Sequence, residues 1–266
     1  VTLALYYLTA TLYLASTIGY LAHLVWLRRT LGRYSLLVLG IGFASQTAYL
    51  VARYVETGFT PVTTRLDASG AFAWLIVATY LAIQIRQAMP VLGAFVTPLA
   101  LILTLTAAMW NKTFSPLDSI LRSPWLPIHA ILAFLGDALL GVSACFALMY
   151  ILQERQLKSK RPGAFSHRLP PLDVLDRYSY RCITVGFPLL TLGIISGALW
   201  LKAVEGSYIK WQDGRQTTTV LAWFLYAALL HGRLVTGWRG KRVALLNLAG
   251  FVVILVTFVT LSHFMK

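Results

Sequence analysis

The chain has 266 residues, 58% of them hydrophobic and 12% charged, with a mean hydropathy of +0.70. A soluble domain carries roughly a quarter charged residues, so this composition excludes a water-soluble globular protein. The net charge of +14 would suggest nucleic acid in a soluble chain, but basic residues gather on the cytoplasmic side of membrane proteins, and no nucleic-acid partner is expected.

A helix needs about 20 mostly apolar residues to cross the hydrocarbon core. Eight segments meet or approach that length, which predicts an all-α, polytopic membrane protein with a single integral membrane domain over residues 1–266. The first, Leu3–Leu27, is long enough to span and simply continues, so it is not read as a cleavable signal peptide. Tyr34–Val55 follows, then the short Gly70–Ile85, which a tight turn at Arg86–Ala88 joins to Met89–Trp110. The remaining four are Pro127–Leu152, Tyr180–Leu201, Thr217–Leu234 and Val243–Phe264. Cys145 and Cys182 fall inside these apolar runs; they offer no disulfide framework or CxxC motif and read as core residues. No internal repeat is visible.

The connectors alternate in character. Arg28–Arg33, Arg86, Arg155–Arg181 and Arg233–Arg242 together hold 15 of the 23 Lys and Arg residues. The richer side is expected to be cytoplasmic, which puts both termini on the outer side, and an even number of spans agrees with their sharing a side. The outer connectors are then Glu56–Ser69, Asn111–Trp125 and Lys202–Gln216. The inner connector, residues 153–179, is the longest polar stretch; it reads as a basic surface loop with some helix, suited to anionic lipid.

On this topology His129, at the start of the fifth span, and His263, at the end of the eighth, lie at the same outer end. Neutral imidazole is a good haem-iron ligand, and two histidines flanking an aromatic loop could hold a planar metallocofactor. Each taken alone reads equally well as an interfacial polar residue. His231, in the inner part of the seventh span, and His23, about one turn before Arg28, form a second possible pair, either haem-ligating or hydrogen-bonded. Two independent histidines near the inner surface fit those positions too. His167 lies in the basic loop and reads as solvated.

The outer loop over residues 202–216, with Trp200 just before it, carries Gly206, Tyr208, Trp211, Asp213 and Gly214. Its aromatic residues have flat apolar faces and polar tips, a platform on which a porphyrin could stack. The same composition describes an ordinary aromatic belt at a membrane surface.

The run Leu169-Pro-Pro-Leu-Asp173-Val-Leu-Asp176-Arg177, continuing through Gly186-Phe187-Pro188, Thr191, Gly193 and Gly197 to Trp200, closely resembles the segment before the tryptophan-rich loop of the cytochrome c assembly family. That family includes CcsA-type and HemX-type membrane proteins. Leu92-Gly-Ala-Phe-Val-Thr-Pro98 looks like the fourth helix of its eight-span form, and Trp223-Phe-Leu-Tyr226 through His231-Gly-Arg233 looks like the helix after the loop.

The resemblance implies haem handling in cytochrome c maturation at a bacterial inner membrane, with haem b as the expected cofactor. Apocytochrome c or another assembly subunit is the expected partner, besides membrane lipid. In the family's synthetase members, outer histidines flanking the loop ligate iron, and by position these are His129 and His263; the intramembrane histidine after the loop is His231. His23 has no clear counterpart.

The loop departs from the family pattern: Glu205 and Ile209 stand where tryptophans are usual, and Asp213-Gly-Arg-Gln216 replaces D-P-K-E, while Gly206, Tyr208, Trp211 and Asp213 remain. A complete haem lyase is therefore not expected of this chain by itself. The alternative is a HemX-type regulator of haem synthesis, or an accessory subunit that binds no haem. Few acidic residues fall within the spans, which argues against a secondary transporter.

Overall fold

The structure, a computed structural model, describes residues 1–58, 60, 62, 65–109, 125–159, 168–208 and 214–260. These residues form eight helices: α1 (Thr2–Trp26), α2 (Arg29–Thr57), α3 (Arg65–Arg86), α4 (Pro90–Met109), α5 (Trp125–Lys158), α6 (Leu172–Glu205), α7 (Gly214–Val235) and α8 (Lys241–Thr260). Seven are long and apolar enough to cross a membrane, and α4 contributes the shorter apolar stretch Pro90–Thr106. The chain is an all-helical, multi-pass membrane protein.

Helix ends follow local chemistry. The N–H of Gly58 returns to Tyr54 O and that of Gly206 to Lys202 O, each glycine in the left-handed conformation (φ 71° and 75°) that closes α2 and α6. Helix α6 starts at Leu172, eight residues before the apolar run that announces it. Pro171 precedes it, Asp173 sits in its first turn where the helix dipole favours an anion, and Arg177 reaches back to Asp173 at 3.4 Å. Helix α5 likewise runs on to Lys158, which pairs with Glu154 at 2.8 Å. Both ends of the expected inner loop are thus polar continuations of helices. Hydropathy stops at the last apolar residue, but backbone hydrogen bonding does not.

The chain packs as two compact units, α1–α4 and α5–α8. In the first, polar side chains tie the helices together. Tyr13 donates to Gln46 Oε1 at 2.5 Å, Gln46 Nε2 donates to Gly70 O at 2.9 Å, and Tyr80 donates to Tyr20 at 3.0 Å. Arg53 and Tyr49 close on buried Asp67, at 3.0 and 3.2 Å, which allows α3 to begin with a charge so near the apolar segment. Interhelical hydrogen bonds of this kind contribute about 0.6 kcal/mol each on average, so close packing supplies the larger share.

In the second unit, α5 and α6 meet backbone to backbone. A Cβ on Gly136 would stand 2.7 Å from Leu190 N, and one on Gly193 would stand 2.9 Å from Ala133 Cα. This is small-residue packing, the usual way for helices to associate in lipid. The start of α5, the end of α6, the start of α7 and the end of α8 lie together at one end of this unit. His129 reaches Gly193, Phe134 packs on Phe258 with ring centroids 5.6 Å apart, and Thr257 bonds Thr218. The opposite end is closed by Arg233, whose two guanidinium nitrogens meet the Asp176 carboxylate at 2.8 and 2.6 Å. Leu192, Ile195, Leu199, Leu221 and Phe224 remain exposed on the outer faces of α6 and α7, as lipid-facing residues should.

Candidate functional site

His129 is the fifth residue of α5, and its ring lies in a notch on α6 left by Gly197, one turn beyond Gly193, whose own missing side chain makes room for Ala133. A Cβ at Gly197 would meet the imidazole at 2.7 Å from Cε1 and 2.8 Å from Nδ1. The ring can occupy this place only because residue 197 has no side chain. At the floor of the notch, His129 Nδ1 is 2.8 Å from the Gly193 carbonyl oxygen. A carbonyl can only accept, so Nδ1 carries the hydrogen and Nε2 keeps its lone pair. No described residue bonds Nε2.

The Trp200 indole runs nearly parallel to the imidazole, at 11° and 6.4 Å between centroids. Its Nε1 is buried and meets no acceptor among the described residues. A basic imidazole nitrogen, a tautomer held by a backbone carbonyl, and an indole N–H awaiting an acceptor form a donor set that fits a haem. The nitrogen suits iron, the carbonyl supplies the orienting outer contact usual for metal-ligating histidines, and the N–H suits a carboxylate.

The rest of the expected platform is only partly visible. Gly206 caps α6. Tyr208 is exposed, and the Lys202 ammonium lies over its ring at 4.2 Å while donating to its hydroxyl. Lys202 is therefore already engaged by its neighbour. Trp211, Asp213, His167 and His263 lie outside the described residues.

The other two histidines belong to different units. His23, in the last turn of α1, is buried, and its Nδ1 is 2.9 Å from Arg28 O. His231 is exposed on α7, just before two residues committed elsewhere: Gly232 lies beneath Trp238, and Arg233 pairs with Asp176 and stacks over Tyr180 at 4.2 Å. Among the described residues no cluster of three or more His, Cys, Asp or Glu side chains is placed to hold a metal ion.

Two features escaped the reading of the sequence. The notch at Gly193 and Gly197 was foreshadowed by two glycines four apart in an apolar helix, a small-residue spacing that points to close approach. Asp137, a lone acid inside the α5 span, carried the general signal of an ionisable residue in a membrane helix.

Known proteins agree with this architecture. Residues 63–265 match the family described as cytochrome C assembly protein. The cytochrome c biogenesis protein CcsA of Synechococcus sp. (strain CC9902) is 34% identical over 238 residues, covering 80% of this chain and 78% of the relative. CcsA of Gloeothece citriformis (strain PCC 7424) is 31% identical over 261 residues, covering 79% of each. Among solved structures, one described as cytochrome c heme lyase CcmF superposes with a TM-score of 0.71 at 16% identity. That superposition takes in 97% of this chain but only 46% of the larger one, and at such identity it shows a shared fold. The family match runs from the start of α3 past the described end of α8 and takes in the whole His129 notch, and relatives above 30% identity align over most of the chain: it belongs to the cytochrome c assembly protein family.

Proposed function

We propose that this chain handles haem in cytochrome c maturation, binding it where α5 and α6 meet beneath the 202–216 loop. His129 Nε2 and His263 would hold the iron, and the Trp200 N–H would meet a propionate, with Gly206, Tyr208, Trp211 and Asp213 shaping the platform. The observation that carries this reading is the His129 notch. A half-buried imidazole held by the Gly193 carbonyl at 2.8 Å, with Nε2 left over, is organised for a ligand rather than for packing. That α8 brings Phe258 to the same end of its unit as Phe134 supports the choice of His263 as the partner.

Haem b is the proposed form, and the iron would supply redox chemistry that the protein controls through its axial ligands. The chain's own contribution is to orient the imidazole and to exclude water from one face of it. The bias of basic residues toward one set of connectors supports a bacterial inner membrane with the loop outside. Apocytochrome c or another assembly subunit is the proposed partner there. A second reading, a HemX-type regulator or accessory subunit without haem, draws on Glu205 and Ile209 standing where the family's loop has tryptophan.

The test is an absorption spectrum of the protein purified in mild detergent and loaded with haem, beside His129→Ala and His263→Ala. A Soret band that shifts or disappears in each variant is expected. Absence of haem from the wild type after reconstitution would overturn the reading and leave the regulator.

A further inference from the structure

Asp137 sits within α5, 8% exposed, and its Oδ1 has no hydrogen-bond partner among the described residues. Against it lies a small, partly open space of about 10 Å³ lined by Leu190 of α6, Thr219 and Ala222 of α7, and Ile254 and Thr257 of α8. Tyr226 of α7 is near enough to feel its charge. None of the residues lining the space beside Asp137 is charged. The unit's paired cations are held elsewhere, Arg233 by Asp176 and Lys158 by Glu154.

An ionised carboxylate left alone in such a place is costly, and a carboxyl without a charged partner is suited to hold a proton. The space has room for about one water, and the carboxyl with two threonine hydroxyls supplies the polar partners a water requires.

We propose that Asp137 is a proton-binding site inside the α5–α8 unit, exchanging its proton with solvent through a seam of threonine hydroxyls at the start of α7. Thr257 Oγ1 bonds Thr218 Oγ1 at 2.7 Å, and Thr218 in turn donates to Gly214 O at 2.7 Å, in the first turn of α7. The deeper side is closed. The Tyr226 hydroxyl is spent on Asn247, whose Nδ2 donates to Ser143 Oγ at 2.8 Å and Ser179 Oγ at 3.1 Å. Loading therefore proceeds from the loop end of the unit. As the O–H bond on the carboxyl forms, one on the cavity water breaks; the water regains a proton from the Thr257 hydroxyl, Thr257 from Thr218, and Thr218 from solvent, and release runs the same transfers in reverse. The site gives the unit an internal charge that pH can create or remove.

The experiment needs no haem. Infrared difference spectra of the detergent-solubilised full chain at neutral pH, wild type minus Asp137→Asn, should contain the C=O stretch of a protonated carboxyl. That band should move on transfer to D2O, and Thr257→Val should slow the shift about tenfold. Absence of the band means an ionised carboxylate and overturns the site. A band that D2O leaves in place means a sealed, inert acid and overturns the exchange. Should Asp137→Asn fail to fold, wild type against Thr257→Val carries the test, and equal exchange rates would reject the route.

Discussion

His129 Nδ1 and the carbonyl oxygen of Gly193 lie 2.8 Å apart although 64 residues separate them in the chain. One hydrogen bond decides the tautomer, the ring's orientation and the nitrogen that remains for a ligand. It also binds the first turns of α5 to α6, so the packing of the helices and the chemistry of the site have a common origin.

Gly197→Ala should therefore damage the site without removing any donor. The new Cβ would lie 2.7 Å from the His129 ring, and overpacking of this kind costs about 1–3 kcal/mol. A lowered thermal midpoint in detergent is expected, together with weakened haem binding. The double variant with His129→Ala should recover most of the midpoint, since the clash then has no partner. A midpoint that stays low would place the strain elsewhere.

Trp200→Phe keeps the parallel ring and removes the buried N–H. If that N–H meets a haem carboxylate, affinity should fall about tenfold, the equivalent of roughly 1.4 kcal/mol. Titration of the apoprotein with haem, followed at the Soret band, measures it. Unchanged affinity would show that the indole serves packing only.

At the other end of the same unit, Arg233 is joined to Asp176 through both guanidinium nitrogens, with side chains 12% and 22% exposed. Arg233→Leu leaves the carboxylate without its partner and should cost about 1.5–3 kcal/mol. Adding Asp176→Leu should return part of this loss, because a partly buried charge is more expensive alone than absent. The comparison of midpoints for the two single variants and the double reads the coupling directly.

Asn247 is 0% exposed and bonds Tyr226, Ser143 and Ser179, joining α8 to α7, α5 and α6. Asn247→Leu removes the amide shared by Tyr226, Ser143 and Ser179, leaving the tyrosine hydroxyl only the backbone carbonyl of residue 247 at 3.2 Å, and should lower stability by about 1–3 kcal/mol. Because Tyr226 keeps that carbonyl, adding Tyr226→Phe should not return the loss, and a cycle of midpoints tests whether it does.

Much of this protein is settled by local properties of the chain. The eight apolar segments, the turn between α3 and α4 and the end of α6 at Gly206 follow from hydropathy and backbone sterics acting over a few residues. The run from Leu169 to Trp200 carried the family resemblance unaided, and it singled out His129 by position. The polar beginnings and ends of α5, α6 and α3 were not visible in the same way. Their backbone bonds continue past the last apolar residue, and at Asp67 a charge is accepted because Arg53, from another helix, meets it.

The organisation of the site belongs to tertiary structure alone. A sequence can state that residue 129 is histidine and residue 197 glycine, but not that one fills the space the other leaves. Likewise Asp137 becomes a lone carboxyl facing a water-sized space only when α6, α7 and α8 surround it with uncharged residues. Burial and pairing depend on neighbours that the folded chain brings from far away, and those neighbours set the tautomer of His129 and the protonation of Asp137.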